Sequence, residues 1–130
     1  FATLTGAARV AMGSDLTPFF ATNPHMANLV EAGGREFFDP VWQLPFYKDY
    51  EDQLKSKIAD LNNAPSGGMA GSITAALFLK HFTEDHQNFM HFDIFGWNQK
   101  SRPGKSYGGL LQGARSLAAG IEKALEEKNS

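Results

Sequence analysis

An α/β fold is predicted for this chain, because strand signals and helix signals alternate along it. Apolar side chains recur at helical spacing in several segments, and residues 89–97 are apolar on both faces, as in a strand buried between two layers. Only residues 1–5 and 89–97 read clearly as strands. Two strands are too few to cover the apolar helices, so we expect further strands in the chain or a sheet that extends beyond it.

The first strand signal covers residues 1–5, which are rich in β-forming side chains and are followed by Gly6. The chain opens without a polar lead-in, so we expect this strand to begin before Phe1. Residues 7–12 are apolar and fit either a strand or a helix, and residues 13–15 interrupt the pattern.

A clear helix signal comes next. Asn23 suits the N-cap position and Pro24 the first helical position, because the proline has no N–H that would need a partner there. The apolar spacing then predicts a helix over residues 24–33 with a stop signal at Gly33 and Gly34, and a ragged continuation to Phe38 is the alternative.

A second helix is predicted over residues 47–61 from apolar residues spaced by three or four positions. The preceding segment contains Pro45, which excludes it from the centre of a sheet. The residues that set the helical spacing are Tyr47, Tyr50, Leu54, Ile58 and Leu61.

The second half of the chain predicts helix, strand and helix. Ser72 suits the cap of a helix over residues 72–82, whose apolar residues on nearly all sides indicate burial. Residues 89–97 are expected to form a central strand. Residues 110–128 predict a final amphipathic helix with a charged, solvent-facing end.

Composition bounds the functions that are possible. The 130 residues suit one domain, and 12 basic against 14 acidic side chains give a net charge of −2, which offers no electrostatic attraction for nucleic acid or an anionic membrane. The absence of cysteine excludes disulfides and thiolate sites and fits a cytoplasmic protein. No apolar run approaches the roughly 20 residues of a membrane span.

Four side chains in the second half invite a metal-binding hypothesis: His81, His86, His91 and Asp93. The first two are five residues apart and point away from each other on a helix, whereas the last two share a strand face. The favoured interpretation is therefore that His91 and Asp93 form hydrogen bonds across the sheet and that the two other histidines are surface residues, and a metal site is the lesser one.

The glycine-rich segment at residues 66–72 opens a predicted helix and suggests an anion site, because helix N-termini attract negative charge. It lacks the lysine of a P-loop and the G-x-G-x-x-G spacing of dinucleotide-binding loops. A capped helix with a tight entry loop is favoured, and an anion-binding module remains an open alternative. No G-x-S-x-G motif supports a serine nucleophile.

Five motifs in order resemble the leucyl aminopeptidases, the cytosol aminopeptidases that use two metal ions. The resemblance runs the whole length of the chain. The matching segments are ATLTGA at residues 2–7, WQLP at 42–45, LKS and ADLNN at 54–63, GSITAALFL at 71–79, and HFDIFG at 91–96.

The resemblance implies a three-layer α/β domain with a mixed sheet and helices on both faces. It implies that residues 1–130 form the C-terminal portion of the catalytic domain. The family's metal ligands precede ATLTGA, so this portion is expected to ligate no metal and to be inactive alone. The complete enzyme is expected to use two divalent ions, Mn²⁺ or Zn²⁺, to remove N-terminal residues from peptides.

By the same resemblance, the first motif binds the substrate backbone and side chain. The Leu4 carbonyl is expected to accept the substrate's peptide N–H, and the Gly6 amide to donate to its carbonyl. Thr3 is expected to face the pocket for the first side chain.

Three further residues are assigned by position. Ala64 is expected to line the leaving side, while Phe95 and Asn98 form the floor of the pocket. Many members of the family carry a small alanine where this chain has Phe95, so a preference for leucine is not implied.

The resemblance also implies a peptide substrate, a homo-oligomer (a hexamer in the family) and a cytoplasmic location, with no nucleic acid or membrane as partner. A non-catalytic scaffold or interaction module that retains the fold is the alternative. A metal-ligand motif NTDAEGR encoded shortly before Phe1 would exclude that alternative.

Overall fold

The computed structural model describes residues 1–2, 6–84 and 86–130. Helices and short strands alternate through these residues, so the predicted α/β class is confirmed. In chain order the elements are α1 (Ala7–Met12), β1 (Thr17–Ala21), α2 (Pro24–Glu36), β2 (Val41–Gln43), a 3₁₀ helix (Lys48–Leu54), α3 (Gly71–His81), β3 (Met90–Phe92), β4 (Trp97–Asn98), β5 (Gly108–Gly109) and α4 (Ala114–Asn129).

The main sheet has the strand order β2-β1-β3 and is mixed. Strand β1 runs parallel to β2 and antiparallel to β3, and all five of its residues are buried. The sequence patterns missed this strand, because Pro18 lies within it and proline is typical of sheet edges. Pro18 is tolerated because its carbonyl still accepts a hydrogen bond from the Asp93 amide at 3.1 Å.

The strand predicted over residues 89–97 is shorter than expected and lies between two neighbours. Strand β3 pairs with β1, and Ala2 forms a parallel bridge with Asp93 on its other side. A strand is predicted at residues 1–5, but Thr3, Leu4 and Thr5 lie outside the described residues. The bridge of Ala2 is therefore the part of that prediction on which the structure bears.

Both faces of the sheet are covered. On one face Phe92 stacks between Phe1 and Phe19, and α2 adds Ala27 and Val30 to this cluster. On the other face the side chains of β1 and β3 meet aromatic rings and the end of α3. The contacts there are Phe20 with His91, Phe20 with Phe46, and Lys80 over Phe46.

The helix predicted over residues 47–61 is wrong beyond Leu54. The chain forms only the 3₁₀ helix Lys48–Leu54 in this region, and residues 55–61 are not helical. Ile58, one of the residues that set the helical spacing, is 98% exposed. The Ser56 hydroxyl accepts hydrogen bonds from the amides of Ile58 and Ala59, which offers the backbone an alternative to the helix.

Helix α2 passes the stop signal at Gly33 and Gly34 and ends at Glu36, so the continuation is observed rather than the stop. These glycines allow a close approach to α4 instead. A Cβ atom on Gly33 would lie 2.8 Å from the Cβ of Ala119, and one on Gly120 would lie 2.7 Å from Val30. The α2–α4 contact therefore requires glycine on both helices.

Two predicted helix starts differ from the observed ones. Helix α3 begins at Gly71 after Ala70, which adopts a left-handed conformation with φ of 55°, so Ser72 is not its cap. Helix α4 begins at Ala114, because the buried carboxylate of Asp39 accepts hydrogen bonds from three amides of its first turn. The donors are Gly113, Arg115 and Ser116.

Within the ranges described above, no helix combines the length and the apolar character needed to cross a bilayer.

Candidate functional site

A cavity of about 310 Å³ lies between α1, the start of β1 and the turn after β3. Small and apolar residues form much of its wall. Its polar lining comes from Arg9, Thr17, Asp93 and Gln112. A cavity of this size is at the small end of ligand pockets, and it suits one amino-acid side chain more than a large ligand.

Two of the residues assigned by resemblance meet in this cavity. Gly6 lies at the start of α1 and Phe95 in the turn after β3, and both line the wall. They are distant in sequence but adjacent here, because the bridge between Ala2 and Asp93 joins their two segments. Thr3 and Leu4, also assigned to the site, lie outside the described residues.

The backbone of Phe95 is held by a buried glutamine. The Gln112 Oε1 atom accepts hydrogen bonds from the amides of Phe95 and Gly96 at 3.1 and 2.6 Å. The Gln112 Nε2 atom donates to the Ser14 carbonyl at 2.8 Å. One side chain thus fixes the turn that carries Phe95 against the segment after α1.

The ring of Phe95 contacts a cation. The Arg9 guanidinium carbon lies 4.5 Å from the ring centroid, within the range of a cation–π contact. Arg9 is exposed in α1, so its head group lies at the solvent side of the cavity.

Asp93 supplies a buried carboxyl group to the same cavity. The Ser72 hydroxyl donates to its Oδ2 atom at 2.7 Å and links α3 to the end of β3. Burial raises the pKa of Asp93 above its usual value, and the hydrogen bond from Ser72 opposes that rise.

Thr17 adds a buried hydroxyl group. The residue is 2% exposed, and within the described part of the chain its Oγ1 atom has no hydrogen-bond partner. An unpaired buried hydroxyl is destabilising, and this enclosed oxygen does not face the cavity that other atoms of Thr17 line.

The other two assigned residues lie elsewhere. The Asn98 side chain is buried and donates to the carbonyls of Lys105 and Ser106 at 3.0 and 2.7 Å, which holds the β4–β5 turn together. Ala64 is exposed in the loop before α3, where its amide donates to Asn62. Neither residue lines the 310 Å³ cavity.

The described residues do not fit a metal centre. No three His, Asp or Glu side chains among residues 1–2, 6–84 and 86–130 come close enough to share an ion. His91 is buried against Phe20, and Asp93 is bound by Ser72. The metal hypothesis for His81, His86, His91 and Asp93 therefore has no geometric support among the described residues.

The glycine-rich segment also lacks the features of an anion site. Gly67 and Gly68 are exposed with positive φ, and the hydroxyl of Ser72 is directed to Asp93. The left-handed Ala70 makes this a tight entry to α3 rather than a cradle with a free side-chain donor.

The motifs did not reveal Arg9, Thr17 or Gln112. Arg9 carries a signal that sequence reasoning overlooked, because it is the one charged residue in the segment AARVAM of α1. Thr17 and Gln112 gave no such signal, since their positions depend on β1 and on the turn before α4.

Comparison with protein families gives a match to the cytosol aminopeptidase family, catalytic domain, over residues 1–119. A probable cytosol aminopeptidase of Rhodopirellula baltica is 38% identical over 125 residues, covering 95% of this chain and 24% of that protein. One of Chlorobium phaeobacteroides is 40% identical over 123 residues, with 94% and 24% covered. The chain thus spans about a quarter of the length of these curated relatives.

Solved structures agree with this match. The crystal structure of the cytosol aminopeptidase from Coxiella burnetii superposes with a TM-score of 0.87 at 43% identity, covering 95% of this chain and 27% of that one. The bottromycin maturation enzyme BotP, solved in complex with Mn, gives 0.84 at 29% identity, with 95% and 28% covered. With a family match over most of its length, the chain belongs to the cytosol aminopeptidase family and is part of its catalytic domain.

Proposed function

We propose that residues 1–130 are the C-terminal portion of the catalytic domain of a metal-dependent aminopeptidase that removes N-terminal residues from peptides. Family membership supports the reaction class. The observation that carries the role of this portion is the 310 Å³ cavity, where Gly6 and Phe95 lie together as substrate-pocket residues should.

In this proposal the chain holds the substrate rather than the ions. The backbone of residues 4–6 binds the substrate's peptide group, with the Leu4 carbonyl as acceptor and the Gly6 amide as donor. Thr3 and Phe95 border the pocket for the first side chain, and Gln112 fixes the backbone of Phe95. Asn98 contributes indirectly, because it fixes the β4–β5 turn that follows Phe95 in the chain. Ala64 is assigned to the leaving side.

The catalytic ions are proposed to be held by residues that precede the ATLTGA motif, where the resemblance puts the metal ligands of the family. Two divalent ions, Mn²⁺ or Zn²⁺, are proposed for the longer protein, and the Mn complex of BotP supports that choice. Such ions polarise a carbonyl and activate a water molecule. This chain contributes the shape and polarity of the pocket beside them.

The longer protein is proposed to act in the cytoplasm as a homo-oligomer, a hexamer by family resemblance. The names of the relatives support the location. Peptides are the proposed substrate, and neither nucleic acid nor a membrane is proposed as a partner.

The test is metal-dependent cleavage by the longer protein that contains this chain. We expect hydrolysis of leucyl-p-nitroanilide or another aminoacyl-p-nitroanilide, loss of activity with a chelator, and recovery with Mn²⁺ or Zn²⁺. The isolated 130-residue chain should show no turnover under any of these conditions. Robust turnover by the isolated chain would refute the proposal that this portion binds the substrate while the rest of the longer protein holds the ions.

A non-catalytic scaffold is the second candidate, favoured by the large ring of Phe95 and the cation of Arg9 at the pocket. It predicts a folded longer protein that cleaves no aminoacyl substrate with either ion. That result would replace the proposed enzyme function.

A further inference from the structure

Arg9 lines the 310 Å³ cavity, and its guanidinium has no carboxylate partner among the described residues. The guanidinium has no hydrogen bond or ion pair with any residue in the described ranges. It forms a cation–π contact with the ring of Phe95. Arg102 offers a contrast, since its guanidinium is held by the carboxylate of Asp15. A guanidinium that lines a cavity without a carboxylate partner is a ready binding group for an anion.

The geometry leaves the N–H groups of Arg9 available. The ring of Phe95 attracts the cation through its π face and accepts no conventional hydrogen bond, so the five N–H donors keep their capacity. A carboxylate is the group that a guanidinium matches best, because two parallel N–H···O bonds form at once.

The other polar groups of the cavity must be weighed against this cation. Asp93 is the acidic residue of the lining, but it is buried and its Oδ2 atom accepts from Ser72. Its raised pKa indicates that burial disfavours its negative charge. The accessible charge at this pocket is therefore positive.

From these contacts we infer that Arg9 is a specificity-determining residue that selects substrates whose first side chain carries a carboxylate, namely N-terminal glutamate or aspartate. The inference rests on the proposed function, because it takes the 310 Å³ cavity as the pocket for that side chain. Phe95 restricts the depth of the pocket, and Arg9 binds the terminal carboxylate of a side chain that fits beside the ring.

The test uses the longer protein and a pair of substrates that differ in charge but hardly in shape. These are α-linked glutamyl- and glutaminyl-p-nitroanilide, compared by kcat/KM with the metal supplied. We expect the wild-type protein to prefer the glutamyl substrate by about tenfold, as one added charged hydrogen bond provides. Arg9→Gln should bring the ratio close to one, and Arg9→Lys should retain part of the preference.

The matched control is Arg35→Gln, because Arg35 is also exposed near the end of a helix but does not line the cavity. It should leave the glutamyl-to-glutaminyl ratio unchanged. The preference of the wild-type protein should also weaken as salt is raised, since ions screen an exposed guanidinium.

The outcomes separate this inference from the proposed function. A wild-type protein that cleaves leucyl or glutaminyl substrates without preferring glutamyl, or whose preference survives Arg9→Gln, contradicts the role of Arg9 alone. A preference for a lysyl substrate would also overturn it, since Asp93 would then set the charge of the pocket. A protein inactive on every substrate with both ions would overturn the proposed function and this inference together.

Discussion

His91 places an ionisable ring where nothing solvates its charge. The ring stacks on Phe20 at a centroid distance of 6.0 Å, and within the described part of the chain its buried Nε2 atom has no partner. Burial lowers the pKa of His91 to about 4 from its ordinary value of 6.5. The folded protein therefore keeps this ring neutral while the unfolded chain accepts a proton.

This difference predicts a pH-dependent stability. The contribution of neutral His91 is complete above pH 6.5 and is lost as the pH falls toward about 4, because the unfolded chain binds the proton first. We expect His91 to account for a loss of about 2 kcal/mol in unfolding free energy over this range. Denaturant unfolding of the longer protein at several pH values measures it.

His91→Phe should remove that part of the pH dependence, since phenylalanine preserves the stack on Phe20 and does not titrate. His81→Phe is the control, because His81 is exposed at the end of α3. A variant at position 91 whose stability falls with pH as steeply as that of the wild type would contradict the assignment.

At this scale the motifs assigned two residues that line the cavity, Gly6 and Phe95, and their roles in substrate binding stay predictions. Gly6 and Phe95 could be assigned because the motifs that carry them keep their order and spacing. Arg9 and Thr17 could not, because their relevance depends on which side chains the fold leaves without partners. Such contacts arise from tertiary packing and leave no periodic pattern in the chain.

Asp39 joins two elements that are far apart in sequence. It follows α2, yet its buried carboxylate accepts hydrogen bonds from Gly113, Arg115 and Ser116 at the start of α4. It acts as an N-cap from outside the helix, and it also meets the positive end of the helix dipole.

Asp39→Ala should therefore destabilise the protein by about 2 kcal/mol, because it leaves buried amides without an acceptor. Asp60→Ala is the control at an exposed aspartate, where about 0.5 kcal/mol or less is expected. Chemical denaturation compares the two variants, and equal stabilities would show that the carboxylate does not cap α4.

The close contact of α2 and α4 predicts that a larger residue at Gly33 is destabilising. A methyl group on Gly33 would lie 2.8 Å from the Cβ of Ala119 and 2.9 Å from the Ser116 carbonyl, so the helices would have to separate. Gly33→Ala should cost about 1–3 kcal/mol, although in an unobstructed helix the same change is favourable by about 1 kcal/mol.

Thermal unfolding measures the effect of Gly33→Ala. Gly109→Ala is the matched control, because its added methyl group meets no atom within 4 Å. A gain in stability for Gly33→Ala would mean that the helices are farther apart than described.

Element predictions succeeded where local rules dominate. Helix α2 begins at Asn23 and Pro24 as predicted, because the Asn23 side chain accepts from the amides of His25 and Met26. The predicted helix beyond Leu54 failed, because the hydroxyl of Ser56 competes for the backbone. Strand β1 was missed because it is short and contains Pro18, and its pairing partners lie far away in sequence.

At the scale of the whole molecule, several large apolar side chains among the described residues are exposed to solvent. Ile58, Val10 and Phe38 are 98%, 86% and 85% exposed. We predict that the isolated 130-residue chain self-associates through such groups. Light scattering over a range of concentrations measures this, and the triple variant with serine at these positions should associate less. A monodisperse monomer at high concentration would contradict the prediction.

The sequence predicted the α/β class and the family at this scale, because both depend on patterns that extend along the chain. It did not predict how the sheet is ordered, since β1 provides the pairing for both β2 and β3. The central claim is that this chain forms the wall of a pocket for the substrate's first side chain, with Phe95 limiting its depth.

The most direct measurement of that claim is the ratio of kcat/KM for leucyl- and alanyl-p-nitroanilide in the longer protein and its Phe95→Ala variant. If Phe95 limits the depth of the pocket, the variant should raise the leucyl-to-alanyl ratio by about tenfold, because removing the ring makes room for a larger apolar side chain. Phe37→Ala, at an exposed position outside the cavity, should leave the ratio unchanged. An unchanged ratio in an active Phe95→Ala variant would show that Phe95 does not limit the pocket for the substrate's first side chain.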